Sequence, residues 1–299
     1  MTDSSPIFDT HAHLVTPDQQ AYPPQPLRGT LSPGEFDNPN SAELFLDLMK
    51  RAGVVSACAV QRAHVYGYDN SYILDCSRAQ PETLRAVVVL NAADPATPAQ
   101  LRELAKAQGA AGVRYVSPGF PSAALDWLTS AEAHASFAAA ADLGIPVCVH
   151  VLHVQRDAVL PEVLRLTRQF PDASFVIDHV GGAHPAHIEQ AWLKEQGLPT
   201  GPALIDAALA LAECPNAVMK MSTINLSCAE DPADFVRQVV GHFGAERVVW
   251  GSDVGQTRGD YLAMVALLRT AVAGLTADER QAVLYGNAAR LYGYSDDAA

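Results

Sequence analysis

Two histidines, His11 and His13, stand two residues apart in the segment FDTHAH, at the end of a short apolar run. If that run is a strand, alternate side chains share a face, so both imidazoles point the same way. Two imidazoles on one face can ligate a single metal ion. The pair alone is a weak signal, because ordinary surface and core histidines also fall at this spacing. Three other runs strengthen it: PVCVH ends at His150, FVIDH at His179 and VVWGSD at Asp253. Histidines kept only for packing would not be expected to collect at strand ends.

These residue types suit a metal-assisted hydrolysis. Neutral imidazoles hold Zn²⁺ or Mn²⁺ without cancelling its charge. Such an ion lowers the pKa of bound water, to about 7 in favourable zinc sites. Asp253 can ligate or hydrogen-bond that water, take its proton and pass it to the leaving group. A remaining imidazole, His179, can polarise the carbonyl oxygen. The candidate metal ligands are therefore His11, His13, His150 and Asp253, and the catalytic pair is Asp253 and His179. His153 competes with His150, which is preferred because the VCV run leads straight into it. Without an ion, Asp253 would activate water directly and the histidines would form the oxyanion hole.

Positioning these groups needs a particular scaffold. Short β-type runs cover residues 7–10, 54–60, 84–90, 111–116, 145–151, 174–177, 217–221 and 247–250. Helical patterns lie between them at 42–52, 72–79, 98–108, 131–143, 158–170, 204–214 and 232–243. The runs are continuously apolar rather than alternating, which fits parallel strands buried on both faces. Eight such units predict a (β/α)8 TIM barrel, whose active site forms at the C-terminal ends of its strands. An open doubly wound sheet is the alternative, but no GxGxxG follows the first strand. The Pro-rich stretch 16–39 is expected to be a long loop that shapes the pocket, and residues 179–202 are expected to cover the mouth as well.

The chain has 299 residues, 49% hydrophobic and 18% charged, enough apolar material for one large domain spanning 1–299. Its 20 basic and 33 acidic residues give a net charge of −13, which disfavours nucleic-acid and anionic membrane partners. The expected partner is a small molecule, with homo-oligomerisation left open. Five cysteines without CxxC spacing read as reduced core thiols. The acidic N-terminus lacks a signal-peptide layout, so a cytoplasmic location is expected.

The segments FDTHAHL, GVRYV, FVIDHVGG, VVWGSD and LYGNAARLYG, spread over residues 8–293, resemble the amidohydrolase superfamily. The similar branch includes 2-pyrone-4,6-dicarboxylate lactonase, sulfomuconolactone hydrolase, sugar lactonases and aminocarboxymuconate-semialdehyde decarboxylase. The resemblance implies the strand-1 pair His11 and His13, the strand-6 His179 and the strand-8 Asp253. It also places His150 where metal-dependent members carry a ligand, and Arg114 where the pyrone lactonase grips a carboxylate. Two departures stand out. Val254-Gly255 replaces the Trp-Pro that follows the strand-8 Asp, and the further basic residue after GVRYV is missing, which puts a dicarboxylate substrate in doubt.

Arg62 and His64, just past the second strand, sit at the same expected mouth and are candidates for substrate contact. Lys220 could reach it too, or be a solvated or salt-bridged lysine. Asp69 and Asn70 read as helix caps. Ser222 and Ser252 lack the nucleophile-elbow pattern of a serine hydrolase. The leading expectation is a lactonase acting on a small carboxylated or sugar-derived lactone. It would use one divalent ion, zinc or manganese, with Arg114 on a substrate anion. The runner-up is a metal-dependent decarboxylase, against which the missing Glu before HAH counts. A non-catalytic binding barrel is the third reading.

Overall fold

The computed structural model describes residues 5–27, 29–31, 34–117, 124–182 and 206–293. Eight strands follow one another round a sheet in chain order, and each pairs in parallel with the next. They are β1 (Ile7–His13), β2 (Val54–Val60), β3 (Leu84–Val89), β4 (Ala110–Val116), β5 (Val147–His150), β6 (Phe175–Ile177), β7 (Ala217–Ser222) and β8 (Val248–Gly251). Helices fill the connections, among them Ala42–Ala52, Thr97–Gln108, Ala131–Leu143, Arg156–Gln169 and Pro232–Phe243. This is the expected (β/α)8 barrel. No helix among the described residues is long and apolar enough to cross a membrane.

The continuous apolar runs are explained by two layers of packing. Phe8, Cys58, Val60, Val87, Cys148, Val176, Val218 and Val249 form a core of their own with Tyr292. Tyr292 comes from the helix Asn287–Tyr292, and its ring packs 6.0 Å from that of Phe8. Asn287 pins that helix by donating to Ala245 O at 2.7 Å and Val248 O at 2.8 Å. The LYGNAARLYG segment is thus a structural plug. The opposite strand faces and the helices share a second, larger core built around Ile7, Phe45, Val88, Phe137 and Trp250.

Between β1 and β8 the ring closes differently, through side chains and the loop after β8. One Asp9 oxygen accepts from the backbone N–H of His11 (3.0 Å) and of Ser252 (2.8 Å), and the other from the Tyr261 hydroxyl (3.0 Å). Thr10 Oγ1 donates to Trp250 O at 2.8 Å. Asp253 N donates to His11 O at 2.7 Å, and His13 N to Val254 O at 2.8 Å. Burial pushes the Asp9 carboxyl up to about 6 despite these donors. The seam needs close approach: a Cβ on Gly251 would lie 2.3 Å from His11 Cβ, and one on Gly255 2.3 Å from His13 O. Gly255 also has a φ of +86°, so the Val254-Gly255 departure has a backbone cause.

The boundary of β1 departs most from expectation. β1 runs on through His13 rather than stopping at Thr10, because β2 and Val254 keep pairing its backbone. The stretch 16–39 has neither helix nor strand among its described residues, as expected of a loop. It lies against the β2 end, where Leu27 N donates to Ala63 O at 3.0 Å and Gln25 N to Val65 O at 2.8 Å. Of the expected mouth-covering segment 179–202, only residues 179–182 fall within the described residues.

Candidate active site

At the C-terminal ends of β1 and β8, three buried side chains converge. His11 Nε2 and His13 Nε2 are 3.2 Å apart, and Asp253 Oδ1 lies 3.7 Å from the first and 3.5 Å from the second. His13 Nδ1 is 2.9 Å from Val60 O, a pure acceptor, so Nδ1 carries the proton and Nε2 a lone pair. Asp253 Oδ2 accepts from Thr257 Oγ1 at 2.6 Å, and Oδ1 is buried without a hydrogen-bond partner among the described residues. Ligands about 2.0–2.2 Å from a tetrahedral ion stand roughly 3.3–3.6 Å from one another. The triangle of 3.2, 3.5 and 3.7 Å therefore fits a divalent cation, and so does its orphaned carboxylate oxygen.

The histidine cluster continues from these residues. Ring centroids are 4.8 Å apart for His13 and His11, 5.1 Å for His11 and His179, and 6.2 Å for His179 and His150. Burial lowers the pKa of all four, which favours neutral imidazoles able to accept a proton or a cation. His150 Nδ1 is buried and has no hydrogen-bond partner among the described residues. The described residues leave out the His153 side chain. Asp253 stays ionised: burial works against it, but the His13 contact and the neighbouring imidazoles hold it below the carboxylate range.

The backbone is strained where these groups sit. Asp253 has a φ of 59°. His179, Val180, Gly181 and Gly182 all have positive φ, and Val180 at (54°, 44°) and Gly181 at (71°, 36°) are left-handed helical. A β-branched Val in that region costs on the order of 1–2 kcal/mol. The turn is held by Gly181 N and Gly182 N donating to Asp178 O at 3.1 and 3.3 Å. The turn begins at His179 itself, whose ring lies 5.1 Å from that of His11.

A family model described as amidohydrolase matches residues 8–294. The chain belongs to the amidohydrolase family. It is 27% identical to an L-fucono-1,5-lactonase of Burkholderia ambifaria over 259 residues, 82% of this chain and 82% of that one. An uncharacterised protein of Sinorhizobium fredii is 27% identical over 141 residues, a match spanning 44% of this chain and only 43% of that protein. Among solved structures, a probable 2-pyrone-4,6-dicarboxylic acid hydrolase from Acinetobacter baumannii with citric acid bound superposes with a TM-score of 0.70. It is 19% identical, covering 96% of this chain and 99% of the other. An amidohydrolase from Burkholderia multivorans with bound zinc gives 0.70 at 20% identity, covering 97% and 99%.

Beneath the cluster, this amidohydrolase has a buried charge network only partly visible in its sequence. Asp178 accepts from Arg114 Nε at 2.7 Å and pairs with Lys220 Nζ at 2.9 Å, and all three side chains are almost wholly buried. Lys220 Nζ also lies 3.3 Å from His11 Nδ1. Lys220 is therefore the salt-bridged lysine of the second reading, buried inside the barrel beside His11 rather than solvated. Burial alone would lower the Lys220 pKa, but the Asp178 charge outweighs it and holds it above its ordinary value. Burial would likewise raise Asp178, yet Lys220 and Arg114 bring it well below the carboxylate range.

Arg114, His64 and His150 come together around a cavity of about 240 Å³, with Ser117, Tyr68 and Trp127 also in its wall. Arg62 does not line this cavity. Its Nε and Nη2 engage Glu35 Oε1 at 3.0 and 2.9 Å, and its Nη1 donates to Gln256 Oε1. It ties the 16–39 loop to the loop after β8. Asn70 takes the N-cap position of Ser71–Ala79 but makes no side-chain cap, its amide bridging Tyr68 O and the Val89 backbone, while Asp69 accepts from Ser71 N at 3.0 Å in an Asx turn just before it. Sequence reasoning missed Asp178, although a lone acid closing the apolar run FVID was a usable signal. Thr257 and Ser222 carried none.

Proposed function

We propose that this amidohydrolase is a lactonase that opens a small carboxylated or sugar-derived lactone with one activated water. The observation that carries the reading is Asp253: an ionised, buried carboxylate whose free Oδ1 lies against the Nε2 atoms of His11 and His13. In this reading Asp253 takes a proton from the attacking water and returns it to the ring oxygen as the acyl C–O bond breaks. Water adds across that bond, and the product is the hydroxy acid.

His11, His13 and Asp253 would hold one divalent ion, zinc or manganese; His150, expected as a further ligand, falls outside that group and would instead face substrate in the cavity. Bound there, the ion would polarise the carbonyl and make water more acidic. Arg114 has its Nε fixed by Asp178, which leaves its Nη edge for a substrate carboxylate in the cavity shared with His64. Arg62 acts by holding the mouth together. The L-fucono-1,5-lactonase similarity supports a lactone as the substrate class. Buried, unpaired thiols at Cys58, Cys76, Cys148 and Cys214 suit a cytoplasmic setting.

The test is metal content by mass spectrometry on untagged, chelator-free protein, with turnover of sugar and carboxylated lactones followed in parallel. About one ion per chain is expected, with acid released on turnover and activity lost on chelation and regained on adding metal back. Full turnover without metal would remove the ion and leave Asp253 acting alone on water. Release of CO₂ from a carboxylate substrate, with every lactone left intact, would replace the lactonase by a decarboxylase on the same residues.

A further inference from the structure

His179 is gripped at two points by residues outside the candidate ligand set. Its Nδ1 lies 2.9 Å from Ser222 Oγ, and its carbonyl oxygen accepts from Asn225 Nδ2 at 3.2 Å. Ser222 ends β7 and caps the following helix, Thr223–Cys228, in which Asn225 occupies the third position. Both are buried.

The direction of each hydrogen bond follows from one fixed point. Ser222 N is a backbone donor, and it donates to Asn225 Oδ1 at 3.0 Å, so that atom is the amide oxygen. Ser222 Oγ lies 2.8 Å from the same oxygen, which can only accept. The single hydroxyl proton of Ser222 is therefore committed to Asn225. Ser222 Oγ is left as an acceptor, and the hydrogen bond to His179 must run from Nδ1–H to Oγ. A neutral imidazole protonated on Nδ1 carries a lone pair on Nε2.

We propose that Ser222 and Asn225 are positioning residues that lock His179 in its Nδ1–H tautomer, so that Nε2 meets the site as an acceptor. This rests on the lactonase reading only for the reaction that His179 serves, not for the tautomer. It changes the part His179 plays. A lone pair accepts a proton or a cation, and it gives no hydrogen bond to an oxyanion, so the carbonyl oxygen must be stabilised by another group. Asn225 also acts on the backbone, because its grip on the His179 carbonyl steadies a residue held at a φ of 53°.

The experiment is two-bond ¹H–¹⁵N correlation spectroscopy on the full chain labelled in its histidines, with a His179→Gln variant to assign the ring. The result expected is a protonated Nδ1 and an unprotonated Nε2 in His179 of the native protein. Ser222→Ala should lose that preference and lower kcat about 10- to 100-fold, the range typical of groups that orient a site histidine. Ser222→Thr, which keeps the hydroxyl, should restore both. A protonated Nε2 in the native protein overturns the proposal, and so does a His179 spectrum that Ser222→Ala leaves unchanged. The native spectrum needs no substrate and no change at Ser222. It stands even if Ser222→Ala does not fold or no lactone is hydrolysed.

Discussion

Replacing Gly251 by alanine should disable the site without abolishing the barrel. The added Cβ would fall 2.3 Å from His11 Cβ and 2.8 Å from His11 N. Carbon atoms rest about 3.5–4.0 Å apart, so β1 and β8 must separate by roughly 1.2–1.7 Å at this point. Neither side yields freely, because His11 N is bonded to Asp9 and His11 O to Asp253 N. Overpacking of this kind costs about 1–3 kcal/mol in stability. The greater effect is on geometry: the shift is applied to His11 itself, and a misplacement of about 1 Å in a catalytic array can cost about 100-fold in rate. Lactone hydrolysis and bound metal, measured beside far-ultraviolet circular dichroism, should show kcat/KM down by about that factor, a reduced ion content and a retained fold. Gly241→Ala is the control. Its Cβ would meet nothing within 4 Å, and as a helical substitution it should be neutral or stabilising by up to about 1 kcal/mol. If Gly251→Ala kept activity within about threefold of the native protein, the tight β1–β8 contact would not be what places His11.

Asp253→Asn keeps the shape but loses the basic oxygen, so kcat should fall by about 10²- to 10⁴-fold with the melting temperature little changed. Steady-state kinetics beside calorimetry would show this, and near-native turnover would move the proton transfer elsewhere. Lys220→Met removes one partner of a buried pair and leaves Asp178 with Arg114 alone, at a cost of about 3–5 kcal/mol. At roughly 2–4 °C per kcal/mol for a domain of this size, a fall of about 10 °C is expected in a thermal melt. An unaltered melt would mean that the cluster adds nothing to folding.

The barrel was legible because its signal is repeated and local. Strands buried on both faces must be apolar throughout, and VVSACAV and its counterparts declare that in a handful of letters. Helices with sharp ends, such as Ala42–Ala52 between its Ser41 cap and left-handed Gly53, were bounded to the residue. His11, His13 and Asp253 were legible because barrel sites sit at strand ends, and a ligand-type residue there contrasts with the run before it. What escaped depends on direction rather than position. Nothing in FVIDHVGG says that four successive residues turn left-handed, although its paired glycines permit it. Lys220 resembles a surface lysine until Asp178 is placed beside it, and the two are joined only by closure of the barrel. Arg62 was expected to meet substrate because it follows a strand, and no local pattern reveals that Glu35 and Gln256 already engage it.

The seam between the first and last strands has a consequence for how the protein comes into being. During synthesis β1 emerges early, carrying His11 and His13, but the acid that completes their triangle lies about 240 residues further on. Each contact across the seam, from Thr10 to Trp250 or from Asp9 to Tyr261, joins residues at least 240 positions apart. A nascent chain can therefore stack seven strands and still have no working centre. The two histidines wait on the ribosome for their carboxylate, and the step that closes the ring is the step that switches on the chemistry.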